Sequence, residues 1–312
     1  MPIPLGVLAV AGAGTGRVAV AIYFGAGQPA GGGVLSSVEK YAMPSETRST
    51  LSATTPTGVT SIGSMSNSGT AGYYAGGTPG AGLLNTIRKM SFSAETFSTP
   101  SATLSNSVYY LAGMSNSGTA GYFGGGLAFP AVATVDKIAF SDDTKSTLGT
   151  GLSIARYALT GFSNYGTAGY FAGGEATGQT TVDKFAFPSD TRSTLGTGLS
   201  ENMGYSAGSS NYAVAGYVAG GFSNLTVVNK FAFSSDTRST LGTGLSVGRY
   251  AAAGAQNSGS AGYIGGGGIP SPFTPYTTVD KFAFSDDTRT TLSNGLNTAR
   301  NELFAFSDEG VF

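Results

Sequence analysis

Cysteine, histidine and tryptophan are absent from this chain of 312 residues, and each absence removes a class of chemistry. Without cysteine there is no disulfide framework, no thiolate nucleophile and no sulfur ligand for a metal. Without histidine the chain lacks the side chain that most often moves protons near neutral pH and ligates zinc or copper. Charge is scarce too: Asp, Glu, Lys and Arg make up 11% of the residues, against about 25% in an average soluble domain. The 16 basic residues leave a net charge of −1 and are dispersed along the repeats. No basic stripe exists to neutralise a phosphate backbone, so nucleic acid is not an expected partner. No apolar run approaches the roughly 20 residues needed to span a bilayer. The opening Pro4-Leu5-Gly6-Val7-Leu8-Ala9-Val10-Ala11-Gly12-Ala13 has the composition of a signal-peptide core, but no Lys or Arg precedes it and Arg17 is the first charge, so a cleaved leader is not expected. Neither a cofactor nor a metal is expected, and no catalytic residue is assigned.

What the chain has is glycine, 50 residues of it, arranged in a sentence written six times. One clear copy reads Ala168-Gly169-Tyr170-Phe171-Ala172-Gly173-Gly174, then Thr181-Val182-Asp183-Lys184-Phe185-Ala186-Phe187, then Asp190-Thr191-Arg192-Ser193-Thr194-Leu195. Its lysine recurs at Lys40, Lys89, Lys137, Lys184, Lys230 and Lys281, in steps of 49, 48, 47, 46 and 51. That is the period of a four-stranded propeller blade and not of a helical solenoid. Within a unit, short runs rich in Thr, Val, Phe and Tyr alternate with Ser-Asn-Ser-Gly and Ser-Asp-Thr turn chemistry, which gives four antiparallel strands and leaves helices disfavoured. Each unit needs its neighbours to cover its apolar faces, so residues 1–312 are read as one all-β, six-bladed propeller closed by a terminal strand.

Seven segments read as innermost strands, at 5–11, 59–65, 108–114, 157–162, 205–209, 250–255 and 303–306, one more than six blades require. The N-terminal segment is the favoured closing strand. Residues 299–312 then become a surplus docking segment, with Phe304, Phe306 and Phe312 as its anchors.

Strand alternation assigns two faces. One carries the near-identical turns Ser66-Asn67-Ser68-Gly69 and Ser115-Asn116-Ser117-Gly118 and reads as structural. The other carries connections that vary from about four residues (222–225) to about ten (268–277), and variable loops on a rigid scaffold are where binding usually sits. Phe129, Phe222, Phe273 and Tyr276 are the candidate ligand-stacking residues, with Arg156, Arg249 and Arg300 expected near the same rim. The lysines each have an acid close by in sequence, so ion pairing within or between blades explains them better than a polyanion site does. Asp142-Asp143 and Asp286-Asp287 read as turn caps before they read as a Ca²⁺ site. Glu175 and Glu201 are the only acids outside the repeat pattern that could make a hydrolytic pair.

The second-strand Gly-Gly at Gly76-Gly77, Gly125-Gly126, Gly173-Gly174, Gly220-Gly221 and Gly266-Gly267, with Val38-Glu39-Lys40-Tyr41 on the third strand, resembles the kelch family. Thr-Leu (Thr147-Leu148, Thr194-Leu195) stands where that family carries Trp. The turn Ser234-x-Asp236-x-Arg238-x-Thr240-Leu241 also resembles the Asp-box of sialidase-like propellers. The opening Met1-Pro2-Ile3-Pro4-Leu5-Gly6-Val7-Leu8-Ala9-Val10-Ala11-Gly12 and the Asp-Lys-Phe-Ala-Phe repeat are similar to virion proteins of marine and cyanobacterial phages. That resemblance implies a non-enzymatic viral structural protein, a tail fibre or surface decoration. Its expected partners are other virion proteins and a host-surface glycan used for attachment, and its expected location is the virion after assembly in the host cytoplasm. A secreted glycosidase-like enzyme and an intracellular kelch-like adaptor are the alternatives.

Overall fold

The computed structural model describes residues 20–176, 180–257 and 259–309. These residues form six antiparallel sheets and no helix, which is the six-bladed β-propeller that the repeat predicts. From the axis outward, blade one is Phe304–Ser307, Ala21–Gly25, Val38–Ala42 and Thr47–Thr50. Blade two is Gly63–Asn67, Ala71–Ala75, Ile87–Ser91 and Thr96–Ser98. Blade three is Ala112–Asn116, Ala120–Gly124, Val135–Ala139 and Lys145–Thr147. Blade four is Thr160–Asn164, Ala168–Ala172, Val182–Ala186 and Thr191–Thr194. Blade five is Ala207–Asn211, Ala215–Ala219, Val228–Ala232 and Thr237–Thr240. Blade six is Tyr250–Asn257, Ala261–Pro270, Val279–Ala283 and Arg289–Thr291, with Phe273–Pro275 folded back on the long second strand. No described helix is long and apolar enough to cross a membrane.

The ring closes with the C-terminal strand, which corrects the expectation that the N-terminal segment supplies it. Phe304–Ser307 pairs antiparallel with Ala21–Gly25, Phe304 opposite Gly25 and Ser307 opposite Ile22. Phe304 and Phe306 are fully buried and are therefore not docking anchors. Phe304 stacks on Tyr74 with centroids 4.9 Å apart, and Phe306 lies over Gly72, where a Cβ would collide with its ring. Phe162 fills the equivalent space over Gly216, so Phe306 performs the work of an ordinary inner-strand residue. Residues 5–11 and Phe312 lie outside the described residues.

Six apolar clusters hold the blades, each between successive sheets. At each junction the second-strand tyrosine of one blade meets an apolar residue that follows the third strand of the next: Tyr23 with Phe92, Tyr73 with Phe140, Tyr122 with Phe187, Tyr170 with Phe233 and Tyr217 with Phe284, centroids 5.2–5.6 Å apart. At the sixth, the Tyr263 hydroxyl reaches the Met43 sulfur. Three residues beyond each of these stands an acid, which accepts from that tyrosine's hydroxyl and from the lysine paired beside it. The lysine bonds are Lys40 to Glu95, Lys89 to Asp143, Lys137 to Asp190, Lys184 to Asp236, Lys230 to Asp287 and Lys281 to Glu46, at 2.5–2.9 Å. All six pairs cross a blade boundary, and the last closes the circle. The lysine ring is a set of latches and not an anion site.

Near the axis the inner strands come so close that a Cβ on Gly161 would strike the Gly113 carbonyl, and one on Gly208 would strike that of Gly161. Only glycine permits this spacing, and what remains on the axis is a narrow cavity of about 80 Å³.

Candidate functional site

The site is assembled where the six chains of backbone enter their inner strands. One residue per blade there adopts a left-handed conformation: Ser61, Tyr110, Ala158, Tyr205, Ala251 and Glu302, with φ between 54° and 60°. This turns each amide toward the carbonyl of its counterpart in the neighbouring blade. Tyr110 donates to Ser61, Ala158 to Tyr110, Tyr205 to Ala158, Ala251 to Tyr205, Glu302 to Ala251 and Ser61 to Glu302, at 2.7–3.1 Å. The result is a closed ring of six backbone hydrogen bonds around the axis. It holds the side chains at these six positions in fixed places on the face that carries the variable loops.

Those side chains are not uniform: blades three and five carry Tyr110 and Tyr205, blade one carries Glu302, and in blade four Tyr157 stands directly before Ala158. Tyr109 and Tyr110 lie 4.4 Å apart, Tyr110 and Tyr205 meet edge to face at 5.0 Å, and Tyr157 lies 6.3 Å from Tyr110 and 6.4 Å from Tyr205. Tyr250 extends the cluster at 5.8 Å from Tyr205. Two of the expected ligand residues complete it. Phe129, 70% exposed, approaches Tyr109 at 5.9 Å, and Phe222, 46% exposed, approaches Tyr205 at 6.1 Å. A single aromatic surface thus crosses the loop face from Phe129 through the axial tyrosines to Phe222.

Two carboxylates border it. Glu302 accepts from the Thr60 hydroxyl at 2.8 Å, the Ser61 hydroxyl at 2.6 Å and the Tyr110 hydroxyl at 2.8 Å, which ties blade one to blades two and three. Glu175 stands beside Tyr157, whose carbonyl accepts its amide at 2.7 Å. Its Oε1 is buried with no hydrogen-bond partner among the described residues, and burial raises its carboxyl above the usual carboxylate range. Burial, then the nearby Glu302 charge, pushes the Tyr110 hydroxyl far above its ordinary value, and burial does the same for Tyr205. Both rings present neutral hydroxyls at every physiological pH.

Between the tyrosines and the central cavity lies a recess of about 70 Å³. Tyr110, Tyr205 and Glu302 line it, with Ile62, Leu111, Leu159 and Leu303, which it shares with the axial cavity.

The three arginines expected at this rim are elsewhere. Arg156, Arg249 and Arg300 are completely buried. Each reaches into its own blade to a third-strand carboxylate: Arg156 to Asp183 at 2.9 Å, Arg249 to Asp280 at 3.0 Å and Arg300 to Glu39 at 3.0 Å. Backbone carbonyls of Phe171 and Gly173 take further bonds from Arg156, and those of Ala26 and Ser37 from Arg300. Burial works to raise the Asp183 carboxyl, but the Ser153 amide, Arg156 and Thr194 outweigh it and hold it below its ordinary value. Asp280 is held down in the same way, with Arg249 the chief opponent of burial.

Phe273 and Tyr276 are half-buried and flank the hairpin of blade six, a β-structure where a loose loop is expected from sequence. Asp142 and Asp286 cap Thr144 and Thr288, as turn chemistry predicts. Glu201 is exposed. On the opposite face a smaller aromatic pair, Tyr165 with Tyr212 at 4.4 Å, sits beside the exposed Val214.

Tyr109, Tyr110, Tyr157, Tyr205, Tyr250 and Glu302 do not stand out as candidate site residues in the sequence, because all of them fall at the starts or margins of inner strands. Their signal is irregularity: at a position held by Ser61, Ala158 and Ala251 in three blades, blades three and five carry tyrosine and blade one carries Glu302. Compared with known protein families the chain matches none, and no curated protein sequence resembles it.

Proposed function

We propose that this propeller is a non-enzymatic recognition module that presents its loop face to a host-surface glycan, and that it does so as a tail-fibre or surface-decoration protein of a phage particle. The observation that supports recognition is the continuous aromatic surface from Phe129 to Phe222. Large exposed aromatics are costly to leave in water, and here they are joined by neutral hydroxyls and two carboxylates. That combination suits the apolar faces and hydroxyl rims of sugar rings. With the three arginines buried, no cation among the described residues lines the axial recess, which disfavours sialic acid and other acidic sugars. The particle assignment rests on the likeness of the opening residues and the repeat to phage virion proteins.

A glycan array probed with the wild-type protein and with Phe129→Ala/Phe222→Ala tests the recognition reading. Binding by the first and its loss in the second, with unchanged thermal stability, is the expected result. Equal binding by the two proteins overturns it. Mass spectrometry of purified particles tests the other half: a stoichiometric amount of this chain is expected, and its absence contradicts the virion role.

A further inference from the structure

The recess at the axis differs from the rest of the aromatic surface because an acid stands among its rings. Tyr110, Tyr205 and Glu302 line it together with the aliphatic Ile62, Leu111, Leu159 and Leu303. Glu302 is locked from three sides by Thr60, Ser61 and Tyr110, so it does not swing out to solvent. Among the described residues no Lys or Arg lines the recess. The volume of about 70 Å³ is several times the ~10–15 Å³ that seats a single water on the same measure, enough for a compact head group. An aromatic face attracts a cation through its quadrupole, and most strongly when that cation sheds water readily. A carboxylate adds net attraction, and an aliphatic lining suits methyl groups better than N–H donors, which would go unpaired there.

We infer that the axial recess is a site for a quaternary ammonium head group, with Tyr110 and Tyr205 as the aromatic walls, Glu302 as the counter-charge, and Ile62, Leu111, Leu159 and Leu303 as the apolar lining. This deepens the reading of the loop face as a recognition surface and rests on it: the glycan ligand carries a choline-type substituent, which the recess takes while Phe129 and Phe222 stack on the sugars. Glu175 lies close enough to Tyr205 to raise its hydroxyl pKa and adds to the negative field at the rim.

The test compares choline with 3,3-dimethyl-1-butanol, its neutral carbon isostere, by tyrosine fluorescence titration of the full chain at constant ionic strength. Choline should bind at least ~10-fold more tightly, a difference of about 1.4 kcal/mol, within the range of a desolvated cation on aromatic faces. Glu302→Gln should reduce that preference several-fold, with the backbone ring unchanged because it uses no side chain. Equal binding of the two probes, or no binding of choline at concentrations up to tens of millimolar, overturns the inference; because these outcomes are read on the wild-type protein, a poorly folded variant does not obscure them. Glycan binding is measured in parallel with Phe129→Ala/Phe222→Ala. Loss of glycan binding in that variant alongside a negative choline titration removes only the head-group assignment. Choline binding with no glycan recognised at all removes the glycan reading and leaves the ammonium site.

Discussion

At the scale of single residues, the buried arginines are the sharpest departure from what their positions suggest, and the chain contains its own explanation. Arg156, Arg249 and Arg300 occur in units whose third strand carries Asp183, Asp280 and Glu39. The fifth unit has Met203 at the arginine position and neutral Asn229 at the acid position, and Asn229 bonds Ser200 and Thr240 without any charge. Removing one partner of a buried pair leaves an uncompensated charge, whereas replacing both is nearly neutral. Arg156→Met should therefore cost about 3–5 kcal/mol in urea denaturation followed by circular dichroism. Adding Asp183→Asn, which makes blade four resemble blade five, should restore most of the loss. The same carboxylates set the response to acid. Asp183 and Asp280 have folded-state pKa values below their ordinary one, so the stability they contribute is complete above about pH 4 and drains away as pH falls through the lower folded values. The melting temperature should be flat from pH 7 to pH 5 and fall below pH 4. The Arg156→Met/Asp183→Asn protein should lose less over that interval than the wild type.

At the scale of the element, the closing strand shows what sequence can and cannot carry. Seven segments read as inner strands, and pattern alone does not choose the seventh, because Val-Leu-Ala-Val and Phe-Ala-Phe-Ser both satisfy strand alternation. What selects Phe304–Ser307 is a set of contacts two hundred and more residues away: Phe304 on Tyr74, Phe306 on Phe92 and over Gly72, and the Ser307 amide on the Ser66 hydroxyl. Ser307 occupies the same register as Ser163, whose amide bonds the Ser210 hydroxyl, and that equivalence is visible in the repeat once it is sought. Phe306→Ala should destabilise the protein by about 3–5 kcal/mol, as expected for an emptied core position, in the same denaturation assay. A docking residue exposed on the isolated protein would give a change near zero.

At the scale of the whole molecule, the repeat makes the architecture legible and hides the site. Glycines, turn residues, lysines and acids recur with the blade, so their roles follow from closure: the Lys40 to Glu95 latch and its five counterparts need a neighbouring blade, not a ligand. The partner acid lies 52–57 residues along the chain in five latches and 235 residues back in the Lys281 to Glu46 latch, which is why nearby acids in sequence point to pairing without identifying the pairs. Phe129 and Phe222 are legible as site residues because they interrupt variable loops. Tyr110, Tyr205 and Glu302 are not, because their direction is fixed by a left-handed backbone ring that exists only when six blades meet. The recognition site proposed for this molecule therefore lies in the departures from sixfold regularity, on the loop face across blades three to five. We propose that this face, and not the turn face with its Tyr165 and Tyr212 pair, meets the ligand. Glycan-array binding of the wild type should be abolished by Phe129→Ala/Phe222→Ala and retained by Tyr165→Ser/Tyr212→Ser. Loss of binding in the second variant with retention in the first would contradict the account.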